Sequence, residues 1–477
     1  MSFIGIFCLM MEIWLLKGFP VIKDSPVTFE DLQIILAFTY LSVFVLWARF
    51  AFIKPPRFGR RNAEKYVGYV GNIFISRNAD SISVMLDEIL YSIKEVVELA
   101  SEIDKQNIKI EEKYANTLIA LISDKLICRI MLDKHPILFS KIYELANEKE
   151  KFNMDLGLLS MNFITCALDN RESFIYRESN EFSSSYFSIF KPICSGIYDN
   201  YKIVNNYSFL LTPDINDADQ DYEKWRAYLF LLNMSIKAFL ESSDVDESTS
   251  FLHWPKFTVQ SIFHSLKYID SSNELNYRHD SFKTMQELSN FFNSTSKLTC
   301  AINVNGVSKR YVDDFLSCLL FEAITYASNI SSDYKVRKFI QKRIVWDELY
   351  RTSGFIRDED CIVLSKVNNL IYDKIKEIEK NPNVDSVEML VYILFVLGLE
   401  PVSEGVYGKS WRALHIKVLN WCENKLSSIL DRYPNIVLEC FPENITYHSE
   451  IQELRFSYGN KYDPVCFKLT KGPDSET

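Results

Sequence analysis

The residues of this sequence that most resemble a catalytic motif are Tyr311-Val-Asp-Asp314. Tyr-x-Asp-Asp is the pattern that a reverse transcriptase carries in its catalytic hairpin, where adjacent carboxylates hold the metal ions of nucleotidyl transfer. A polymerase also needs a third carboxylate on an earlier strand. Residues 299–304 could form a short strand upstream, but they contain no acidic residue. The motif therefore lacks a partner that the reaction requires.

The residues that follow this motif have the spacing of an amphipathic helix. From Val312 to Ala327, apolar side chains recur at intervals of three and four, which is the periodicity of one helix face. Ser308 is placed to cap this helix, and Asp313 and Asp314 then come near its start, where negative charge is favourable. The sequence predicts a helix start here and not a polymerase hairpin.

Two other stretches resemble ligand-binding loops, and each lacks an essential residue. Residues 403–410, SEGVYGKS, end like a phosphate-binding loop, but Ser403 stands where its first glycine belongs, and only 67 residues follow. We expect a loop in which Ser410 caps the next helix. Residues 214–221, DINDADQD, resemble a calcium loop without its glycine, and Tyr228 occupies the position of the bidentate glutamate. We expect a solvated acidic loop.

The histidines and cysteines form no recognisable metal or nucleophile motif. His253 and His264 are eleven residues apart, about three turns of a helix, which is too far for both to bind one metal ion. His279-Asp280 could begin a metal-dependent phosphohydrolase site, but no second His-Asp set supports it. The ten cysteines are scattered singly without CxxC spacing, which favours free thiols in a reducing compartment. We predict no catalytic residue, no metal and no cofactor.

Length and composition favour a folded, helical protein. The 477 residues leave room for two or three domains, and 48% hydrophobic residues with only 14 Gly and 14 Pro favour long helices. The net charge is −10. The first 61 residues hold seven Lys or Arg against four Asp or Glu, a balance of +3, so the remainder carries −13. An acidic body of this kind disfavours general nucleic-acid binding.

The strongest functional signal is an apolar stretch at residues 32–53. It has 22 residues with one charge, Arg49, and as a helix it would measure about 33 Å, enough to cross a bilayer core of about 30 Å. Trp47 and Arg49 lie near its end, where indole and guanidinium groups are favoured. Four basic residues follow at once, which by the positive-inside rule places that end in the cytoplasm: Lys54, Arg57, Arg60 and Arg61.

An earlier apolar stretch, residues 3–16, contains Glu12, which is costly at the middle of a bilayer. Two interpretations stay open. The stretch could be a first span, which would give a two-helix hairpin with a short outer loop, or it could lie along the membrane interface as an amphipathic segment. We favour the hairpin. If residues 3–16 span the membrane, Glu12 must contact a helical partner or water.

The remainder of the chain shows helical periodicity almost throughout, and we predict a mainly α protein of irregular, stacked helical hairpins. Residues 81–103 and 108–131 are two of the predicted helices. Strand-like sequences occur only near the C-terminus and predict a small sheet: residues 435–440, 454–458 and 464–469. The predicted domains are a membrane anchor at 1–56, a helical cytosolic domain at 57–300, and a helical continuation with the sheet at 301–477.

This layout predicts a protein at an inner or plasma membrane with its main body in the cytoplasm. The first hypothesis is a sensor or effector that responds to a trigger and acts on the bilayer through an oligomerised anchor, a layout that some bacterial antiviral proteins share. A passive membrane-tethered scaffold for protein partners is the alternative, and an enzyme of unrecognised type is the third. The expected partners are the lipid bilayer and a protein partner or further copies of the chain.

Overall fold

The structure is a computed structural model that describes most of the chain with gaps. The described residues are 29–48, 57–102, 107–179, 193–215, 221–242, 251–269, 279–301, 306–328, 330, 333–351, 362–400, 409–434, 441, 444–457 and 463–470. They form a mainly helical protein with a three-stranded antiparallel sheet near the C-terminus. The chain divides into two compact units, Met1–Leu121 and Ile122–Thr477. The predicted domain boundaries remain predictions.

The described residues of the first unit form four helices. They are α1 (Phe29–Ala48), α2 (Ala63–Ile75), α3 (Ala79–Leu99) and α4 (Ile110–Ile122), of which α4 ends at the unit boundary. α3 begins where the side chain of Asn78 accepts hydrogen bonds from the backbone N–H groups of Asp80 and Ser81, at 3.1 and 3.0 Å. α2 packs on α3, and the segment before α2 is held by Phe58, whose ring is buried and whose N–H donates to Ser92 Oγ.

The second unit is built from fourteen described α-helices and shorter helical turns. The α-helices are α5 (Lys125–Lys134), α6 (Pro136–Glu148), α7 (Gly157–Asp169), α8 (Phe174–Ser179), α9 (Tyr201–Asn206), α10 (Tyr222–Glu241), α11 (His253–Ser265), α12 (Asp280–Ala301), α13 (Gly306–Ser328), α14 (Tyr334–Lys338), α15 (Ile362–Lys380), α16 (Val384–Leu397), α17 (Lys409–Trp421) and α18 (Ser427–Arg432). Short 3-10 helices span Ser208–Leu211 and Leu266–Tyr268, and π-helices span Cys194–Tyr198, Phe339–Arg351 and Cys422–Leu426.

The core of the second unit follows from the apolar face of each helix. α10 packs on α12, α11 on α13, α13 on α15 and α5 on α7. Aromatic pairs fill the space between helices: Phe139 stacks on Phe163 with ring centroids 3.6 Å apart, and Trp346 meets Trp411 edge-on at 4.8 Å. All four side chains are buried, so the helices around them are fixed by close packing.

The predicted helix over residues 108–131 is wrong in one respect, because the structure has two helices there. α4 ends at Ile122 and α5 begins at Lys125. Asp124 separates them: its carboxylate accepts a hydrogen bond from the backbone N–H of Leu126 at 2.9 Å, which satisfies a donor at the start of α5. The apolar periodicity continues across this break, so spacing alone does not show it.

The sheet consists of β1 (Ile445–His448), β2 (Glu453–Phe456) and β3 (Val465–Lys468) in the order β1-β2-β3. The predicted strands at 454–458 and 464–469 are confirmed as β2 and β3, with slightly different bounds. β1 was not predicted. The third predicted strand, residues 435–440, lies outside the described residues. Ile445 and Leu454 are buried. The hydroxyl of Tyr447 donates to Asp431 on α18 at 2.8 Å, so the sheet is bonded to the last helix.

Candidate functional site

The predicted membrane span falls on α1, which exposes large apolar side chains in every direction. A helix turns about 100° per residue, so the exposed residues Phe44, Val45, Leu46 and Trp47 alone point four different ways. The exposed fraction lies between 42% and 65% for Ile34, Ile35, Phe38, Tyr40, Leu41, Phe44, Val45, Leu46 and Trp47. The described side chains of α1, residues 34–35 and 37–48, therefore form no polar stripe that would turn toward water.

The polar groups of α1 are few, and one of them is satisfied within the helix. The hydroxyl of Thr39 donates to the carbonyl of Ile35 at 2.7 Å. Trp47 lies one turn from Phe44, with ring centroids 5.7 Å apart, close to the described end of α1 at Ala48. In the described part of the chain, no helix combines the length and the apolar composition that a membrane crossing requires.

The other residues predicted for the anchor divide into two groups. Arg57, Arg60 and Arg61 are exposed on the segment that leads into α2, and the carbonyl of Arg57 accepts a hydrogen bond from Asn62 Nδ2 at 2.8 Å. Glu12, Arg49 and Lys54 lie outside the described residues, as do residues 3–16 and the last five residues of the predicted span.

The second unit contains a cleft of about 440 Å³ between α10, α11 and α13. This volume falls within the range of about 300–1,000 Å³ that is typical of small-molecule sites. The cleft is lined by Phe239, Phe251, Leu252, His253, Lys256, Tyr311, Asp314, Phe315 and Cys318. We call it the α11–α13 cleft. The described surface thus contains a concave site of the size that a small molecule requires.

The floor of the α11–α13 cleft is aromatic. Phe239, Phe251 and Phe315 are buried, and the rings of Phe239 and Phe251 lie 5.1 Å apart at an angle of 38°. Tyr201, behind the floor, contacts both of these rings at centroid distances of 5.2 and 6.0 Å. Because Tyr201 packs on both of these rings, it helps to hold the floor in a fixed shape.

The rim of the cleft is polar and carries both signs of charge. His253 and Asp314 are exposed, while Lys256, Tyr311 and Cys318 are half-buried. Asp314 forms an ion pair with Lys366 on α15, with 2.6 Å between Nζ and Oδ1. Polar groups at the mouth of an apolar pocket are the usual means by which such a pocket orients a ligand.

Asp313, next to Asp314 in the chain, has a different environment. Its side chain is buried, and this burial raises the pKa of its carboxyl. The ammonium groups of Lys366 and Lys309 act in the opposite direction, and the charge of Asp314 raises the pKa further. One carboxylate of the pair therefore lies at the cleft, and the other lies inside the protein.

The structure confirms that Tyr311-Val-Asp-Asp314 belongs to a helix, and it corrects the details. α13 already begins at Gly306, so Ser308 lies within the helix and is not its cap, and the two aspartates lie beyond the first turn. Thr299, assigned to a short strand, is in α12. Among the described residues, no group of three or more His, Cys, Asp or Glu side chains could hold a metal ion.

An exposed aromatic patch adjoins the cleft at His253. The ring of His253 meets those of Trp254 and Phe257 edge-on at 5.3 and 5.1 Å, and Phe209 stacks near Trp254 at 6.4 Å. Phe209, Trp254 and Phe257 each expose between 43% and 48% of their surface. Exposed aromatic residues in one group are typical of binding surfaces.

The remaining motifs have structural roles in the described residues. Asp221 caps α10 by accepting a hydrogen bond from Glu223 N–H at 3.1 Å, and it pairs with Arg171 at 2.8 Å. His264 contacts the hydroxyl of Tyr326 rather than His253. α17 begins at Lys409, so Ser410 lies within the helix and the prediction that it is the cap is wrong; residues 401–408 and 216–220 lie outside the described residues.

Sequence reasoning did not predict the cleft. Its lining comes from three helices that are distant in the chain, so no local spacing indicates it. One signal was present: Trp254 and Phe257 flank Lys256 in the first turn of α11, outside the apolar stripe of that helix. Comparison of the chain with protein families, with curated proteins and with solved structures finds no match.

Proposed function

We propose that this chain is a membrane-anchored helical sensor or effector, whose main body lies in the cytoplasm as irregularly stacked helical hairpins and responds to a trigger. The supporting observation is the exposed apolar surface of α1. A helix that is apolar all round is stable when protein or lipid surrounds it. Nine large side chains of α1 are at least 42% exposed, so the described protein leaves most of this surface uncovered.

The bilayer is the occupant that best fits α1. Residues 49–53 would extend its apolar sequence to the length of the hydrocarbon core, and the basic residues after it would contact anionic headgroups on the cytoplasmic side. The bond from Thr39 to Ile35 satisfies a hydroxyl that would otherwise be unpaired in lipid. Arg57, Arg60 and Arg61 are exposed, as lipid contact requires.

The step from anchor to effector rests on Glu12. A carboxylate within hydrocarbon is tolerated only against a partner or a water-filled path, and several copies of the chain would supply either. The trigger would then act by assembling copies whose anchors perturb the bilayer, in a defence or stress response. A passive scaffold is the second candidate, which the exposed aromatic patch of Phe209, Trp254 and Phe257 favours as a protein-binding surface.

Overexpression with a membrane-potential dye separates these two functions. The effector predicts that the wild type depolarises the membrane and is toxic. It also predicts that Glu12→Leu abolishes both effects while the protein stays in the membrane, because leucine makes residues 3–16 more apolar. The scaffold predicts a harmless wild type and an equally well anchored variant. Deletion of residues 1–56 is the control for the body, which we expect to remain folded and helical.

A further inference from the structure

We propose that a stripe of basic side chains on the helix at residues 334–351 binds the surface of an anionic lipid bilayer. This helix comprises α14 and the π-helix Phe339–Arg351, which follow each other without a break. We call the exposed cations of its first half the basic stripe: Lys335, Lys338, Lys342 and Arg343. The choice of a bilayer as the partner rests on the proposed function, because the anchor would bring the body of the protein to that surface.

The basic stripe is a local reversal of the charge of the chain. Lys and Arg are 53 of the 477 residues, and the net charge is −10. Within residues 335–343, five of the nine residues are basic and none is acidic. The nearest acidic residues in the chain are Asp333 and Asp347, so residues 333–347 carry a formal charge of +3. Such a concentration of one charge in an acidic protein favours a polyanionic partner.

The packing of the helix turns these cations outward. Val336, Ile340 and Ile344 recur at intervals of four residues and are at most 1% exposed, and the π-helix packs on α12, α13 and α16. The three lysines of the stripe lie within about 90° on the opposite side of the helix, and the stripe measures about 12 Å along the axis. One flat surface can therefore contact these side chains together.

The carboxylates near the stripe neutralise little of its charge. The side chain of Asp333 caps α14 by accepting a hydrogen bond from the backbone N–H of Lys335 at 2.8 Å. Asp347 forms an ion pair with Arg343 at 3.1 Å, and the side chain of Arg343 is still 52% exposed. Within the described residues, no ion pair involves Lys335 or Lys342. Their ammonium groups are therefore available to an anionic surface.

The exposed groups of the stripe favour a bilayer over nucleic acid. Proteins that bind single strands usually add exposed aromatic rings on which the bases stack. Phe339 is half-buried and Gln341 is buried, so the exposed side chains between residues 335 and 343 supply charge alone. Charge is sufficient at an anionic headgroup layer, where each basic residue raises the association constant by about fivefold. The anchor would also hold the stripe at a high effective concentration of lipid.

The test is acetylation footprinting of the full chain, reconstituted into vesicles of phosphatidylcholine with or without phosphatidylglycerol. A neutral, water-soluble acetylating reagent followed by mass spectrometry reports the reactivity of each lysine. We expect Lys335, Lys338 and Lys342 to react at least about threefold more slowly when about 30% of the lipid is anionic. This protection should disappear at about 1 M salt, where the Debye length is about 3 Å.

The lysines of α15 are the internal control. Lys374 pairs with Glu377 at 2.7 Å, and Lys376 pairs with Asp373 at 2.6 Å, so this helix presents both signs of charge. We expect these lysines to react at the same rate in neutral and in anionic vesicles, because a surface of mixed charge has little attraction for anionic headgroups.

A matched pair of variants tests the stripe itself, with the reaction of Arg343 with phenylglyoxal as the measurement. The stripe variant carries three substitutions: Lys335→Gln, Lys338→Gln and Lys342→Gln. The control variant removes the same charge from α15: Lys374→Gln, Lys376→Gln and Lys380→Gln. In anionic vesicles Arg343 should be protected in the wild type and in the control variant. The stripe variant should lose this protection, because its contact with the bilayer is about a hundredfold weaker. Circular dichroism should show all three proteins equally helical.

Three outcomes overturn the proposal. They are equal reactivity of the stripe lysines in neutral and anionic vesicles, protection that survives high salt, and protection of Arg343 that persists in the stripe variant. Protection by a single-stranded RNA oligonucleotide but not by anionic vesicles would also overturn it, since the stripe would then bind nucleic acid. Flotation with neutral vesicles tests the anchor separately. A chain that does not float refutes the anchor, while its footprint with anionic vesicles still reports on the stripe.

Discussion

Arginine at the middle of α1 distinguishes a helix in lipid from a helix in water. Leu41 and Val45 lie one turn apart, near the centre of the predicted span, and each is 56% exposed. On the scale for insertion into membranes, leucine or valine contributes about −0.3 to −0.6 kcal/mol at the helix centre, and arginine about +2.5 to +3.5 kcal/mol. Each replacement therefore costs about 3 to 4 kcal/mol in the bilayer, and the double variant about twice that.

In water the same replacement has almost no cost, because replacing an exposed apolar side chain by a charged one changes the folding free energy little. Surface substitutions away from special features usually change stability by about 0.5 kcal/mol or less. The two environments thus differ by several kcal/mol for Leu41→Arg with Val45→Arg. This difference corresponds to more than about a hundredfold change in the fraction inserted.

The assay is carbonate extraction followed by flotation of membranes. We expect the wild type to remain with the membranes and the double arginine variant to be extracted. Val84→Arg is the matched control, since Val84 is 61% exposed on α3 and outside the anchor. It should stay with the membranes as the wild type does. Equal membrane association of the wild type and the double variant, or an extracted wild type, would refute the placement of α1 in lipid.

Two further predictions concern the body of the protein. Asp124→Ala should lower the free energy of unfolding by about 0.5–2 kcal/mol, because it removes the cap of α5. Asp124→Asn should retain most of the stability of the wild type. Urea denaturation measures both variants, and equal values would contradict the capping role. Because burial raises the pKa of Asp313, the folded state holds its proton more tightly than the unfolded state. The resulting stability is complete below about pH 4, the ordinary range of an aspartate, and is lost as the pH rises through the raised pKa. Asp313→Asn should remove this decline, and parallel pH profiles of the two proteins would be evidence against it.

The helices were predictable where one apolar stripe faces one neighbour. α3 occurs within a few residues of its predicted bounds, because its cap, Asn78, stands shortly before the periodic residues. The break at Asp124 was missed because the apolar residues on its two sides remain in phase. The spacing of apolar residues indicates which face of a helix is buried. A capping residue can end one helix and begin the next while the same face stays buried.

The cleft could not be predicted, because it depends on how helices pack rather than on the sequence of one helix. Phe239 and Phe315 come from α10 and α13, and each would be expected in an ordinary core. Only their arrangement around Lys256 leaves a concave surface between them. The sheet shows a similar limit: β1 was not predicted, although it has four residues like β2 and β3.

Tyr311-Val-Asp-Asp314 shows why neighbouring carboxylates need their backbone before a role is assigned. In a hairpin turn the two groups could converge on one metal ion, but on a helix successive side chains diverge by about 100°. In α13 this divergence places Asp313 in the interior, where burial raises its pKa, and Asp314 at the cleft beside Lys366. The same helical geometry that separates the two carboxylates thus brings Tyr311 and Asp314 to the rim of the α11–α13 cleft. The prediction of a helix at these residues is confirmed. A helical position does not by itself make Tyr311 and Asp314 purely structural residues.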